Sequence, residues 1–307
     1  MTSQTDIAPQ SADDAPSPPV RGESPTRPFY WSVRRELWEN RSIYIAPLVA
    51  AGVVLFGFLF GATAMRGSST LDTAGRVAVI AIPYGVAAIA VAATAGIVAA
   101  FYCLGALHNE RRDRSILFWK SLPVSDLTTV LSKASIPLIV IPLIVFVIVV
   151  ATHLIMLLVN AASLLLHGRS IAILWTAVPL FHMWLLLAYG LVLSVLWYAP
   201  IWGWLLLVGS WARRGPFLWA VLPPLGLCLV EKIALGSSHL AALLGYRLSA
   251  SSLQGAFLDR AQPGLAFYLP QLDPVGLLGI PGVWIGLAVA AAFVGAAVWL
   301  RRYRDPI

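Results

Sequence analysis

The sequence predicts an all-α integral membrane protein with six transmembrane helices and both termini in the cytoplasm. Three observations predict it. Apolar types make up 59% of the 307 residues and charged types 11%, whereas a soluble domain is about a quarter charged. The apolar residues gather in runs as long as, or longer than, the roughly 20 residues a bilayer crossing needs. Lysine and arginine stand mostly at the ends of those runs, the pattern that sets orientation in a membrane.

Residues 1–27 form a polar leader rich in Pro, Ser and Asp. It lacks the basic start and immediate apolar core of a signal peptide, so a disordered cytoplasmic tail is expected. Residues 28–307 are the membrane domain. Its first element, Phe29 to Asn40, has helical periodicity. Phe29, Tyr30, Val33 and Leu37 share one arc of about 100°, and Ser32, Arg35, Glu36 and Glu39 face away. Such an amphipathic helix is expected to lie flat on the membrane.

The spans follow in order. The first is Ile43 to Met65 and the second Val77 to Leu107. The third lies within Ala134 to Leu166, the fourth within Ile171 to Ala212. The fifth is Phe217 to Leu235 and the sixth Pro281 to Leu300. The fourth run is long enough for two crossings, but a hairpin near Pro200 would leave backbone groups unsatisfied in lipid. One crossing is expected, followed by a broken or interfacial stretch. Pro200 and Gly203 would mark the break. Trp197, Tyr198, Trp202, Trp204 and Trp211 would form an aromatic belt at the cytoplasmic surface. Gly236 to Ile280 is a long outer connection.

With the N-terminus inside, 15 of the 21 Lys and Arg residues fall on the cytoplasmic side and 6 on the other. This distribution accounts for the net charge of +7 without a nucleic-acid partner. Cys103 and Cys228 lie in apolar runs and read as small buried hydrophobes.

The chain lacks GxxxxGK[ST], HExxH, CxxC and GxSxG, so no P-loop, zincin or nucleophile-elbow chemistry is expected of it. His153 and His182 lie in spans three and four and could ligate a haem or metal. An interhelical hydrogen bond is the plainer role. Glu231 and Lys232, embedded near the outer end of span five, suit interfacial anchoring or substrate passage. Glu231, His153 and His182 are therefore the candidate passage residues. His108, His167 and His239 stand at span ends and are expected to be solvated.

The most informative segment is the cytoplasmic loop from His108 to Lys133. A charged start (Glu110, Arg111, Arg112, Asp113, Arg114) leads to an apolar patch (Ile116, Leu117, Phe118, Trp119), then Pro123. Ser125 is a candidate N-cap for the helix entering span three. This loop resembles that of the type-2 ABC transporter permease family, the membrane subunits of ATP-binding-cassette exporters. The resemblance rests on Glu110–Arg111, on Ser115 to Trp119, on the turn Ser121–Leu122–Pro123–Val124–Ser125, and on Lys133. Arg114–Ser115 stands where the family usually has Gly–Thr.

The resemblance implies a cytoplasmic coupling helix between spans two and three. Glu110, Arg111, Arg112, Arg114, Ile116, Leu117, Phe118 and Trp119 would contact a separate ATPase. ATP and Mg would be bound by that partner, with no cofactor in this chain. A second permease copy, identical or homologous, would complete the transporter in a bacterial inner membrane. The alternatives are an intramembrane enzyme or haem carrier using His153 and His182, or a membrane scaffold that transports nothing.

Overall fold

The computed structural model describes residues 26–64, 73–112, 125–166, 179–249 and 279–303, with residues 168, 170–172 and 174. The N-terminal tail, most of the outer connection and loop residues 113–124 lie outside the described residues. Helices make up the architecture, and no strand occurs among the described residues. They are α1 (Thr26–Glu39), α2 (Ser42–Ala64), α3 (Thr73–Arg112), α4 (Asp126–Ser135), α5 (Ile141–Leu166), α6 (Leu180–Trp211), α7 (Pro216–Leu235), α8 (His239–Leu248) and α9 (Pro281–Tyr303). A π-helical segment, Ile136–Val140, joins α4 to α5. Six helices are long and apolar enough to cross a membrane: α2, α3, the α4–α5 unit, α6, α7 and α9. This is the architecture of a multi-pass helical membrane protein.

The π segment has a local cause. Pro137 has no N–H to give the Lys133 carbonyl. The Ile136 N–H takes that carbonyl instead, and Ile141 N–H then reaches back to the Ile136 carbonyl. The helix widens by one residue per turn just beyond Lys133. At the start of α4, Ser125 is the predicted N-cap: its hydroxyl accepts from Thr128 N–H at 3.0 Å.

Alanines make the centre of the bundle tight. Ala95, Ala99 and Ala106 on α3 are buried beside Val91, Tyr102, Ile136, Val149 and Leu206. Small side chains let membrane helices approach closely, where dispersion rather than water exclusion holds them together. The α6–α9 pair is the most extensive in the fold. α7 is an outlier with most of its apolar surface uncovered by protein.

The fourth span corrects the expected break. Leu180 to Trp211 is one continuous helix through Pro200 and Gly203. Proline removes one backbone bond, which packed neighbours in a membrane bundle can offset. Gly203 serves contact rather than a break: a Cβ there would meet the Ala290 carbonyl at 3.2 Å and Phe293 Cβ at 3.3 Å. The aromatic belt is also replaced. Trp197, Trp204 and Trp211 recur every seven residues, so they share a helix face and form a ladder along roughly 20 Å of α6. Trp197 donates to the Arg247 carbonyl, Trp204 donates to the Ala220 carbonyl, and Trp211 stacks edge-on against Trp219. Arg247 returns the contact by donating to the Trp197 and Gly282 carbonyls. The ladder thus fastens α7, α8 and α9 to α6.

Gly209 marks a close backbone approach between α6 and α3. A Cβ there would stand 2.9 Å from the Leu104 carbonyl oxygen and 3.1 Å from that of Cys103. Because these are backbone atoms, Gly209→Leu has to push α3 and α6 apart. A loss of about 1–3 kcal/mol or more is expected from overpacking. Gly226→Leu, where nothing lies within 4 Å, is the matched control. Unfolding in detergent should separate the two variants, and equal midpoints would refute this account of α3–α6 packing.

Candidate functional site

The densest polar constellation gathers four elements at one end of the bundle. α1 brings Arg35 and Glu36, α3 brings Tyr102 and Glu110, α4 brings Asp126 and Lys133, and α9 brings Arg301. Lys133 Nζ lies 2.6 Å from Glu36 Oε1 and 3.0 Å from Glu110 Oε1. Arg35 Nη2 meets the same two oxygens at 3.0 and 3.1 Å. Two cations therefore bridge the same pair of carboxylates. Tyr102 donates to the other Glu36 oxygen at 2.9 Å. Arg301 donates from Nη1 to Glu110 Oε2 at 2.6 Å and from Nε to Asp126 Oδ1 at 2.9 Å.

The cluster balances three acidic groups (Glu36, Glu110, Asp126) against three basic ones (Arg35, Lys133, Arg301). Balance matters because the centre is dry: the Lys133 and Glu36 side chains are each 2% exposed. A buried charge is tolerated only when paired and hydrogen-bonded. Arg35 also reaches outward to Glu39 at 3.3 Å.

This geometry corrects the sequence reading of α1. Glu36 does not face away from the protein but is its most buried residue on that helix, because Lys133 waits in the interior. Val33 and Leu37 do pack on the core, whereas Tyr30 is mostly exposed. Glu110 sits inside the bundle, paired with Arg35, Lys133 and Arg301. Arg111 donates to the Ser210 carbonyl at the end of α6. His108 is not simply solvated, since Nδ1 lies 3.0 Å from the Ala212 carbonyl. Both contacts occupy carbonyls that a helix C-terminus leaves open. Arg112 is exposed. Arg114, Ile116, Leu117, Phe118 and Trp119 lie outside the described residues.

Of the seven cluster residues, sequence reasoning singles out Glu110 as a contact residue and Lys133 as part of the loop motif, and it misses Arg35, Glu36, Tyr102, Asp126 and Arg301 as site residues. The available signal was electrostatic: acids near span ends on the side richest in Arg require partners.

The histidines sit elsewhere. His153 Nε2 lies 3.0 Å from the Tyr84 carbonyl, and Trp184 Nε1 donates to His153 Nδ1 at 3.3 Å. The indole donor assigns the proton to Nε2. Both ring nitrogens are therefore engaged, and ligation by His153 would require breaking one of these bonds. Asn160 donates to the Tyr84 hydroxyl at 3.2 Å, extending this interhelical polar chain. The buried His182 Nε2 has no partner among the described residues. No group of three His, Cys, Asp or Glu among those residues could hold a metal ion.

Glu231 has a local task. Its carboxylate accepts from the Ser237 hydroxyl at 2.7 Å and from the His239 and Leu240 N–H groups at 2.8 Å each. It closes the α7–α8 turn and caps α8, where an anion meets the positive end of the helix dipole. Lys232 is exposed.

No family model matches the chain, and no curated protein or solved structure matches it. The cluster places no nucleophile beside a free base. Its chemistry is that of a fastening, which ties both stems of loop 113–124 to the first and last helices of the described fold.

Proposed function

We propose that the chain is the permease subunit of an ABC exporter, driven by a separate ATPase and moving a substrate across or out of a bacterial inner membrane. The observation that carries this reading is the grip on the loop's two stems. The Arg301 guanidinium spans Glu110, before the loop, and Asp126, after it. Lys133 ties the same stem to α1 through Glu36. A force applied to the loop is thereby delivered to α1, α3, α4 and α9 together. Coupling of a moving soluble domain to membrane helices requires such a rigid link between discrete elements. The loop's order of charged start, apolar patch and Pro-Val-Ser turn, similar to that of type-2 permeases, supplies the docking half of the argument.

In this reading the charged end faces the cytoplasm, both termini lie inside, and two permease copies assemble with two ATPase subunits. The ATPase binds ATP and Mg. A scaffold would have no need of a two-stem grip, and a haem carrier would need His153 released from its present bonds.

Co-expression with an ATPase from a neighbouring reading frame should give a complex that survives purification and hydrolyses ATP in lipid. In a background free of Cys103 and Cys228, Ser125→Cys and Arg304→Cys should resist a membrane-impermeant thiol reagent in intact cells, and Ser251→Cys should react. Labelling at position 304 from outside would end the six-span, termini-inside topology. Failure to capture any ATPase would end the transporter reading.

A further inference from the structure

α1 has two faces with different business. One is occupied: Glu36 is buried against Lys133, and Val33 and Leu37 pack on the core. The other is open. Trp31 is 57% exposed and Trp38 63% exposed. Between them the Arg34 guanidinium lies 5.1 Å from the Trp31 ring centroid and 4.7 Å from that of Trp38. The spacing of three and then four residues puts the three side chains in one row on a helix. Tyr30 adds an edge-on contact to Trp31 at 5.6 Å.

Arg34 contrasts with its neighbour. Arg35 is paired to Glu36 and Glu110 inside the cluster and to Glu39 at its outer edge. Arg34 forms no ion pair among the described residues, and its guanidinium lies against the two indoles. Its charge is therefore not neutralised by a described carboxylate, and it is held between two rings on the open face. A guanidinium held between two rings keeps its planar donor fork, the geometry that suits phosphate.

The position of α1 selects the source of that phosphate. Only Asn40 and Arg41 separate α1 from the first span. That turn is closed by Asn40 N–H to the Glu36 carbonyl at 2.9 Å and by Ile43 N–H to the Asn40 carbonyl at 3.1 Å. The C-terminal end of α1 is thus held within about one helix diameter, roughly 10 Å, of the start of a membrane-spanning helix. The headgroup layer on each side of a bilayer is of similar depth, roughly 5–8 Å. Indoles favour that layer. The exposed Arg41 adds a second positive charge at the same level.

We propose that Trp31, Arg34 and Trp38 form a docking face for the headgroup of an anionic phospholipid. The uncompensated cation selects against zwitterionic headgroups, whose own cation it repels. The inference is independent of whether the protein is a transporter.

The test titrates the full chain, purified in an uncharged detergent, with short-chain phosphatidylglycerol or phosphatidylcholine of equal acyl length. The wild type should prefer phosphatidylglycerol by about fivefold or more, the contribution of one well-placed Arg at a lipid surface. Arg34→Gln should lose most of that preference. Trp31→Leu with Trp38→Leu, which keeps the charge and removes its mount, should lose roughly two- to fivefold. Arg41→Gln should lose less than Arg34→Gln. Unfolding midpoints should be unchanged in all of these variants, since the side chains lie on the open face. An unchanged preference in Arg34→Gln would overturn the proposal. So would equal losses in the Arg34 and Arg41 variants, which would mean a generic basic surface. Displacement of phosphatidylglycerol by millimolar inorganic phosphate would also overturn it, as would loss of a captured protein partner without loss of lipid preference.

Discussion

Lys133→Met should destabilise the folded protein by about 3–5 kcal/mol, the range for breaking a buried ion pair by removing one partner. Lys133 Nζ bridges Glu36 and Glu110 in a site from which water is excluded. Without it, two carboxylates share the Arg35 guanidinium, whose side chain is 22% exposed and therefore screened. The cluster moves from three against three to three against two, and one negative charge is left buried. The cost is that of the orphaned partner and does not measure the worth of the pair, since a whole buried pair contributes little net stability over apolar packing. This distinction gives a second measurement. Glu36→Gln in the Lys133→Met background restores neutrality, so it should recover stability instead of adding a further loss. A coupling energy of at least about 1 kcal/mol is expected from the double-mutant cycle. Arg35→Met should cost less than Lys133→Met, because water can reach part of the site it leaves. Chemical unfolding in detergent measures these three variants and Glu36→Gln alone, which completes the cycle. A Lys133→Met midpoint indistinguishable from wild type would mean that the cluster does not fasten the bundle.

The sequence made some of this legible and hid the rest for physical reasons. The six spans are a property of composition within short windows, so they could be read locally. Their ends were close: α2 begins at Ser42 and α7 ends at Leu235. The N-cap at Ser125 was equally local. α1 was visible from its period, yet Glu36 was put on the wrong side, because periodicity treats every carboxylate as a solvent group. What reversed it lies 97 residues away, at Lys133. The same holds for Arg301, which meets Glu110 across 191 residues of chain. No window contains such a pair.

Pro200 and the tryptophans of α6 failed differently. Each residue was read by its commonest role, breaker or belt, and the seven-residue spacing that aligns Trp197, Trp204 and Trp211 on one face was passed over. Glu231 was read as an interfacial anchor or a passage residue. Its three partners are supplied by a turn, Ser237 to Leu240, whose shape hydropathy cannot express.

On the proposed coupling role, Phe118→Ala with Trp119→Ala should release a captured ATPase while leaving the chain inserted and folded. The grip on the loop uses Glu110, Asp126 and Lys133, which stand on either side of the apolar patch in sequence, together with Arg301 on α9. Truncating the patch therefore leaves the fastening of the bundle in place. Large aromatic side chains are the usual anchors of an interface, and losing one costs roughly 2–4 kcal/mol at a hot spot. That corresponds to a roughly 30- to 1,000-fold loss of affinity. The readouts are pull-down and ATP hydrolysis, taken from one reconstituted sample. Both should fall, with the unfolding midpoint held at the wild-type value. A membrane-anchoring patch would behave otherwise: the double replacement would weaken seating in lipid and leave ATPase capture and hydrolysis as they were. The contrast with Lys133→Met is then informative. One variant loses its partner and keeps its fold, and the other loses stability at the point where the partner's motion would enter the helices. If the two variants lose capture and stability in the same proportion, docking and fastening are one structure, and the loop cannot be a separate handle on the bundle.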